Sequence, residues 1–210
     1  TNGTFSLPIG PNKLFLGNSS GTLARIIEGW QASWIVNLTS GQPMSVAAQN
    51  NLYANGTASI VGPFDKDSGN VEYDSGTTWN YLPKGAYIVD LDPQCAQVTA
   101  LQGLQGQCTI DAVKDASGQY VLQQPAPGAR GTMGQRNMEG PGQWRFDMNV
   151  QKSFKITESK TLQFRMDARN ILNHPEPNAP TLSINNLNFG TINGKTNLRR
   201  QFQAQLRFTF

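Results

Sequence analysis

The final ten residues constrain this chain more than any other feature. Phe202, Ala204, Leu206, Phe208 and Phe210 alternate with Gln201, Gln203, Gln205, Arg207 and Thr209. A pleated strand sends successive side chains to opposite faces, so this spacing makes one apolar and one polar side. On a helix the same residues would be scattered around the axis. The same period governs Trp30 to Thr39, where Trp30, Ala32, Trp34, Val36 and Leu38 oppose polar residues, with Ile35 the exception. It governs Trp144 to Ile156, provided the register continues through Lys152-Ser153, and Leu162 to Arg169. Helical periodicity is almost absent. Its one candidate, Thr22 to Glu28, is too short to stand alone, since isolated helices below about 12–15 residues are marginal in water.

Two architectures accept such strands. A soluble antiparallel sheet alternates, and so does a membrane barrel with lipid on one side and a polar interior on the other. The polar positions here carry Arg145, Asp147, Arg165, Asp167, Arg169 and Arg207 within the strands, as a water-filled or plugged lumen tolerates. The apolar positions place Trp30, Trp144, Phe208 and Phe210 near strand ends, as an aromatic girdle does. The expected fold is therefore all-β, antiparallel strands of a transmembrane β-barrel, with a secreted β-sandwich adhesin as the soluble alternative. Composition agrees with either. Charged residues are only 15% of the chain, against about a quarter in typical soluble domains. Mean hydropathy is -0.43, and there is no apolar run of the roughly 18 residues that a membrane helix needs. Barrel strands hide their apolar content in alternation, so neither value opposes a barrel.

The connections predict sidedness. Thr157-Glu158-Ser159-Lys160 is a short turn, whereas 47–142 and 173–198 are long connections. Loops beyond about 15 residues are rare in compact domains, but outer-membrane barrels carry long loops outside and short turns on the periplasmic side. The expected organisation is barrel strands and a periplasmic turn in 1–46, and an extracellular loop region in 47–142. A barrel hairpin in 143–172, an extracellular loop in 173–198 and the closing strand in 199–210 complete it. The opening Thr1-Asn2-Gly3 has no signal peptide before it and reads as a mature product or fragment.

Short segments in a fixed order carry a family likeness. They begin with Leu7-Pro8-Ile9-Gly10, Phe15-Leu16-Gly17-Asn18, Gly29-Trp30-Gln31 and Ser40-Gly41-Gln42-Pro43. Gly134-Gln135-Arg136-Asn137, Gly140-Pro141-Gly142 and Lys152 to Glu158 follow. The run Leu162 to Pro175, Phe189-Gly190-Thr191-Ile192 and a final Phe complete the set. The chain resembles the C-terminal barrel region of TonB-dependent outer-membrane receptors, in particular the Oar-like group with large extracellular loops. The likeness is weakest from about Asn50 to Ala129, and Met44 stands where the family often has an aromatic residue. The resemblance implies an outer-membrane transport protein that takes up a large substrate and is not an enzyme. It implies outer-membrane lipid against the strands, a plug domain and further strands to complete the barrel, and an inner-membrane energising complex acting on the plug. It also makes the terminal Phe210 an assembly signal. Phe202, Leu206 and Phe208 are then expected to face lipid, and the charged strand residues the lumen. Neither plug nor further strands lie in these 210 residues. Copies of the same chain could supply the missing strands instead, giving an oligomer or filament.

Chemistry is sparse. Cys95 and Cys108 are spaced to close a small loop by a disulfide, with two free thiols as the alternative. A bond would imply an oxidising compartment. The single histidine, His174, lies in Asn173-His174-Pro175 and reads as a loop residue, because no partner set for nucleophilic catalysis surrounds it. Asp65, Asp67, Asn70 and Glu72 could offer oxygens to calcium, but their spacing departs from a calcium-loop pattern. No cofactor is expected. Net charge is +3 with the cations scattered, so nucleic acid is not an expected partner.

Overall fold

The computed structural model describes residues 1–49, 56–73, 78–97, 108–196 and 199–210. In chain order its elements are β1 (Asn2–Ser6), α1 (Gly21–Ile27), β2 (Gln31–Thr39), β3 (Pro43–Met44), β4 (Ser59–Ile60) and β5 (Thr78–Asn80). Then come β6 (Tyr87–Leu91), a 3-10 turn (Pro93–Gln97), β7 (Asp111–Asp115), β8 (Tyr120–Gln123) and β9 (Met138–Glu139). The last are β10 (Gln143–Lys155), β11 (Thr161–Arg169), β12 (Thr191–Asn193) and β13 (Gln201–Thr209). They form two compact units, one of Thr1–Thr39, Gln143–Glu176 and Asn197–Phe210, the other of Ser40–Gly142 and Pro177–Thr196.

The first unit is a five-stranded sheet in the order β1-β2-β10-β11-β13, antiparallel throughout. All of its strands but β1 are the alternating segments of the sequence. Four of them have at least nine residues, the length of a tilted membrane crossing at about 9–11 residues. One line of register crosses the four long strands, Trp34 opposite Met148, Met148 opposite Ala168, and Ala168 opposite Phe202. The pairing runs unbroken through Lys152 opposite Phe164 and Ser153 opposite Gln163, so the two faces stay separate along the whole of β10. At the β1 edge Gly3 lies beneath the Trp34 ring. A Cβ there would come within 2.9 Å of the indole, so the ring covers the strand only because the residue is glycine.

The second unit has short strands. β4, β8, β7 and β6 form one sheet, and β12-β5 and β3-β9 form two-stranded pairs. Its core joins residues far apart in sequence. Val46, Val113, Leu122, Met138, Ile184 and Ile192 are each at most 2% exposed and belong to one cluster. Two of the segments behind the family likeness meet here. The Gly140 amide donates to the Gln42 carbonyl at 2.8 Å, and a Cβ on Gly41 would lie 1.8 Å from the Gly140 carbonyl oxygen. The two backbones can pass this closely only with glycine at position 41.

This unit corrects the reading of 47–142 and 173–198 as loop. Both segments are connections in topology, but both carry strands and both contribute to a buried core. The strands escaped notice because they have two to five residues, too few for alternation to register. The first boundary also moves, since β2 ends at Thr39 and Ser40 begins the second unit.

Candidate functional site

The five-stranded sheet presents two chemically opposite faces. Opposed residues of an antiparallel pair share a face, so the register assigns each side chain. One face carries Phe5, Ala32, Trp34 and Val36, then Phe146, Met148 and Val150, then Leu162, Phe164, Met166 and Ala168. Phe202, Ala204, Leu206 and Phe208 extend it across β13. Many of these side chains are open, with Phe202 60%, Leu206 66% and Phe208 51% exposed. A sandwich buries such a face against a second sheet, whereas much of this one is open among the described residues.

The other face is polar, and its contacts run along and across the strands. The Thr4 and Ser33 hydroxyls bond at 3.0 Å, and Gln151 Nε2 donates to Gln31 Oε1 at 3.2 Å. Arg145 Nε donates to Asp147 Oδ2 at 3.0 Å. Arg165 grips Asp167 with two nitrogens, Nε at 2.9 and 3.0 Å and Nη2 at 2.8 Å. These ion pairs run along one strand and not across to a neighbour. The residues opposite Arg165 are Gln151 and Gln205, and those opposite Asp167 are Asn149 and Gln203. No carboxylate faces Arg165 across the sheet, so it reaches two residues along its own strand, where the side chain shares its face. Asp147 also accepts the Asn170 amide at 2.8 Å, which ties the strand to the turn after β11. Arg169 and Arg207 make no ion pair among the described residues. Ile35 lies on this polar face opposite Asp147 and stays an exception to the pattern.

Lys152 is the residue that sequence reasoning missed. It belongs to the apolar face, opposite Phe164, and is 4% exposed. Its ammonium donates to the carbonyls of Arg25, Ile26 (2.9 Å) and Glu28 (2.5 Å), at the C-terminal end of α1. It also lies 4.6 Å from the centre of the Phe154 ring. The end of a helix leaves carbonyls without partners and carries partial negative charge, so one cation satisfies the helix and itself. Trp30 adds a bond from Nε1 to the Ile26 carbonyl at 2.9 Å and an edge contact to Phe164. Here the helix that is too short to stand alone finds its support. The visible signal was a lysine interrupting an otherwise apolar file between Val150 and Phe154.

The remaining candidates are structural. His174 stacks on Trp144 with ring centres 4.0 Å apart. It exchanges two hydrogen bonds with Asn170, from the His174 amide to Oδ1 and from Nδ2 to the His174 carbonyl, both 2.9 Å. Asp65 accepts the Asp67 amide at 3.0 Å in a local turn. Asn70 and Glu72 instead pair through backbone with Tyr81 and Asn80. Among the described residues no group of three or more His, Cys, Asp or Glu is placed to hold a metal ion. Cys95 and Cys108 are bonded, with Cα atoms 5.6 Å apart. The segment between them lies mostly outside the described residues. Buried Asp92 secures the turn that holds Cys95, accepting the amides of Gln94 and Gln124, each at 2.9 Å.

In the second unit, the hydrogen bond from Lys114 holds the Asp90 carboxyl below the ordinary carboxylate range and raises the lysine. Hydrogen bonds from Ser117 and the Gln119 amide lower Asp115. Burial, and then Glu139, push the Tyr81 hydroxyl up. These shifts arise from local hydrogen bonds and burial.

A sheet of membrane-crossing strand length, apolar and open on one side and ion-paired on the other, has the character of a barrel wall. Residues 1–203 match the family model described as an outer membrane beta barrel domain. The chain belongs to that family and is an outer-membrane protein. No curated protein and no solved structure matches it.

Proposed function

We propose that the chain forms part of the wall and outer loops of a TonB-dependent receptor that takes up a large substrate. The observation that supports this best is the five-stranded sheet itself. Its apolar face is open, its polar face is ion-paired, and its edge strands β1 and β13 each have one side unpaired among the described residues. In this reading Phe202, Leu206, Phe208 and Phe210 meet outer-membrane lipid. Arg145, Asp147, Arg165, Asp167, Arg169 and Arg207 line the lumen or meet the plug. The long connections 47–142 and 173–198 are extracellular in this reading, and the disulfide between Cys95 and Cys108 suits an oxidising exterior. The protein binds and moves its substrate without catalysing a reaction. Energy comes from an inner-membrane complex acting on the plug.

Bare edges in lipid cost several kcal/mol per unpaired backbone group, and bacterial barrels have at least about eight strands. The outer edges of β1 and β13 are therefore joined by strands beyond these 210 residues. The mass of the protein extracted from outer membranes and fully denatured tests this. A receptor gives a mass far above 22.9 kDa. A mass near that value contradicts it and favours the second reading that the bare edges allow, in which copies of the chain pair edge to edge.

A further inference from the structure

Lys152 raises a question that the barrel wall alone does not answer. A lysine in an apolar, lipid-facing file is costly, yet this one is almost fully buried. What buries it is the end of α1, whose carbonyls it holds. The helix is therefore docked on the apolar side of the sheet, at the end where β2 begins, β10 ends and β13 ends. That is also the end of the short turn between Lys155 and Thr161. The helix uses Ala24, 7% exposed, on its buried side. It turns Leu23 and Ile26, three residues apart and so on one side, outward at 57% and 52% exposed. Arg25 in the same turn is exposed as well. The preceding turn repeats the pattern. Leu14, Phe15 and Leu16 are all exposed, and Leu16 holds a φ of 55°, a conformation that glycine or asparagine adopts at less cost. An exposed leucine in that position is explained if its side chain has an apolar medium to enter.

We propose that the Gly10–Gly29 connection is an interfacial anchor that lies in the phospholipid headgroup region of the periplasmic leaflet. Leu23 and Ile26 reach toward the acyl chains, and Arg25 meets the lipid phosphates. The occupant is a phospholipid surface because α1, docked on the apolar face of the sheet through Lys152 and Trp30, leaves Leu23 and Ile26 exposed on a chain of an outer-membrane barrel family. Short amphipathic helices lie in such a layer with their apolar side about 5–10 Å into the headgroup and acyl boundary. The inference rests on the wall reading given above.

The test uses the complete receptor chain reconstituted in phospholipid vesicles. Both cysteines of the present sequence are bonded, so Leu23→Cys adds a single reactive thiol here for an environment-sensitive fluorophore. Two vesicle preparations carry phospholipids brominated either near the headgroup or deep in the acyl chain. Labelled Leu206→Cys on β13 reports the wall, and labelled Glu158→Cys in the short turn is the aqueous reference. The anchor predicts that the Leu23 probe loses more fluorescence to shallow than to deep bromines, while the Glu158 probe loses none. A Leu23 probe that behaves like Glu158 while Leu206 is quenched overturns the anchor and leaves the wall standing. A Leu23 probe shielded from both bromines and aqueous iodide indicates a protein partner and also overturns it. If neither Leu23 nor Leu206 is quenched, the wall reading fails and the anchor fails with it. Labelled Ile26→Cys repeats the measurement should Leu23→Cys not fold.

Discussion

At the scale of single residues, most of the sheet was legible and one decisive residue was not. Position along a strand fixes the face, so Leu206 and Gln205 could be assigned to opposite sides from the sequence, and the register agrees. Which partner a charged side chain chooses depends on the neighbouring strand. The sequence alone therefore leaves open whether Arg165 and Asp167 bond across the sheet or, as they do, along one strand. Lys152 was hidden for a similar reason, since its partners are carbonyls more than 120 residues away. Lys152→Met keeps the apolar shape but removes the ammonium from all three carbonyls, leaving Ile26 its bond from Trp30. Removing one partner of a buried hydrogen-bonded group costs about 1–3 kcal/mol. Urea unfolding of the folded barrel should show a loss of this size, together with faster hydrogen exchange in α1. A variant as stable as the parent would show that the helix does not depend on this clamp. Leu206→Arg probes the opposite feature, a side chain that is open in the sheet. In a bilayer it should lower stability by about 2–4 kcal/mol near mid-membrane, and by less near the interface. On a surface facing water it would change little.

At the scale of elements, strand length decided what could be read. Strands of nine residues or more alternate visibly, whereas the second unit is built from two- to five-residue strands held by side chains from distant segments. Its buried carboxylate Asp92 and its disulfide do work that hydrophobic burial alone does in larger cores. A bond closing a loop of this size contributes about 3 kcal/mol in chain-entropy treatments. The antiparallel pair β6 and β7 carries the Asp90–Lys114 ion pair on its exposed side. The Asp90 carboxyl is lowered by that bond. Its stabilising contribution is therefore complete above its unfolded pKa and disappears as pH falls through the lower folded value. Hydrogen exchange at the Ile88 and Ala112 amides, which point across the β6–β7 pair, should speed up as the pH enters that acid window, after correction for intrinsic rates. Asp90→Asn should flatten this dependence. An unchanged pH profile in the variant would exclude the pair as the source.

At the scale of the whole molecule, the barrel class was legible because alternation, girdle aromatics and the short-turn and long-loop order agree with one another. The partition into two units was not legible, because nothing local marks a folded insertion between β2 and β10. The two faces of the five-stranded sheet differ in chemistry, and a cysteine scan of β13 in native outer membranes tests that difference most directly. Gln203, Ala204, Gln205, Leu206 and Arg207 are replaced by cysteine one at a time and offered a water-soluble maleimide, then a lipid-soluble spin-labelled quencher after fluorophore attachment. Strict alternation is expected, with 204 and 206 quenched from lipid and 203, 205 and 207 reached from water. Equal access from water at all five positions, with no quenching from lipid, would contradict it.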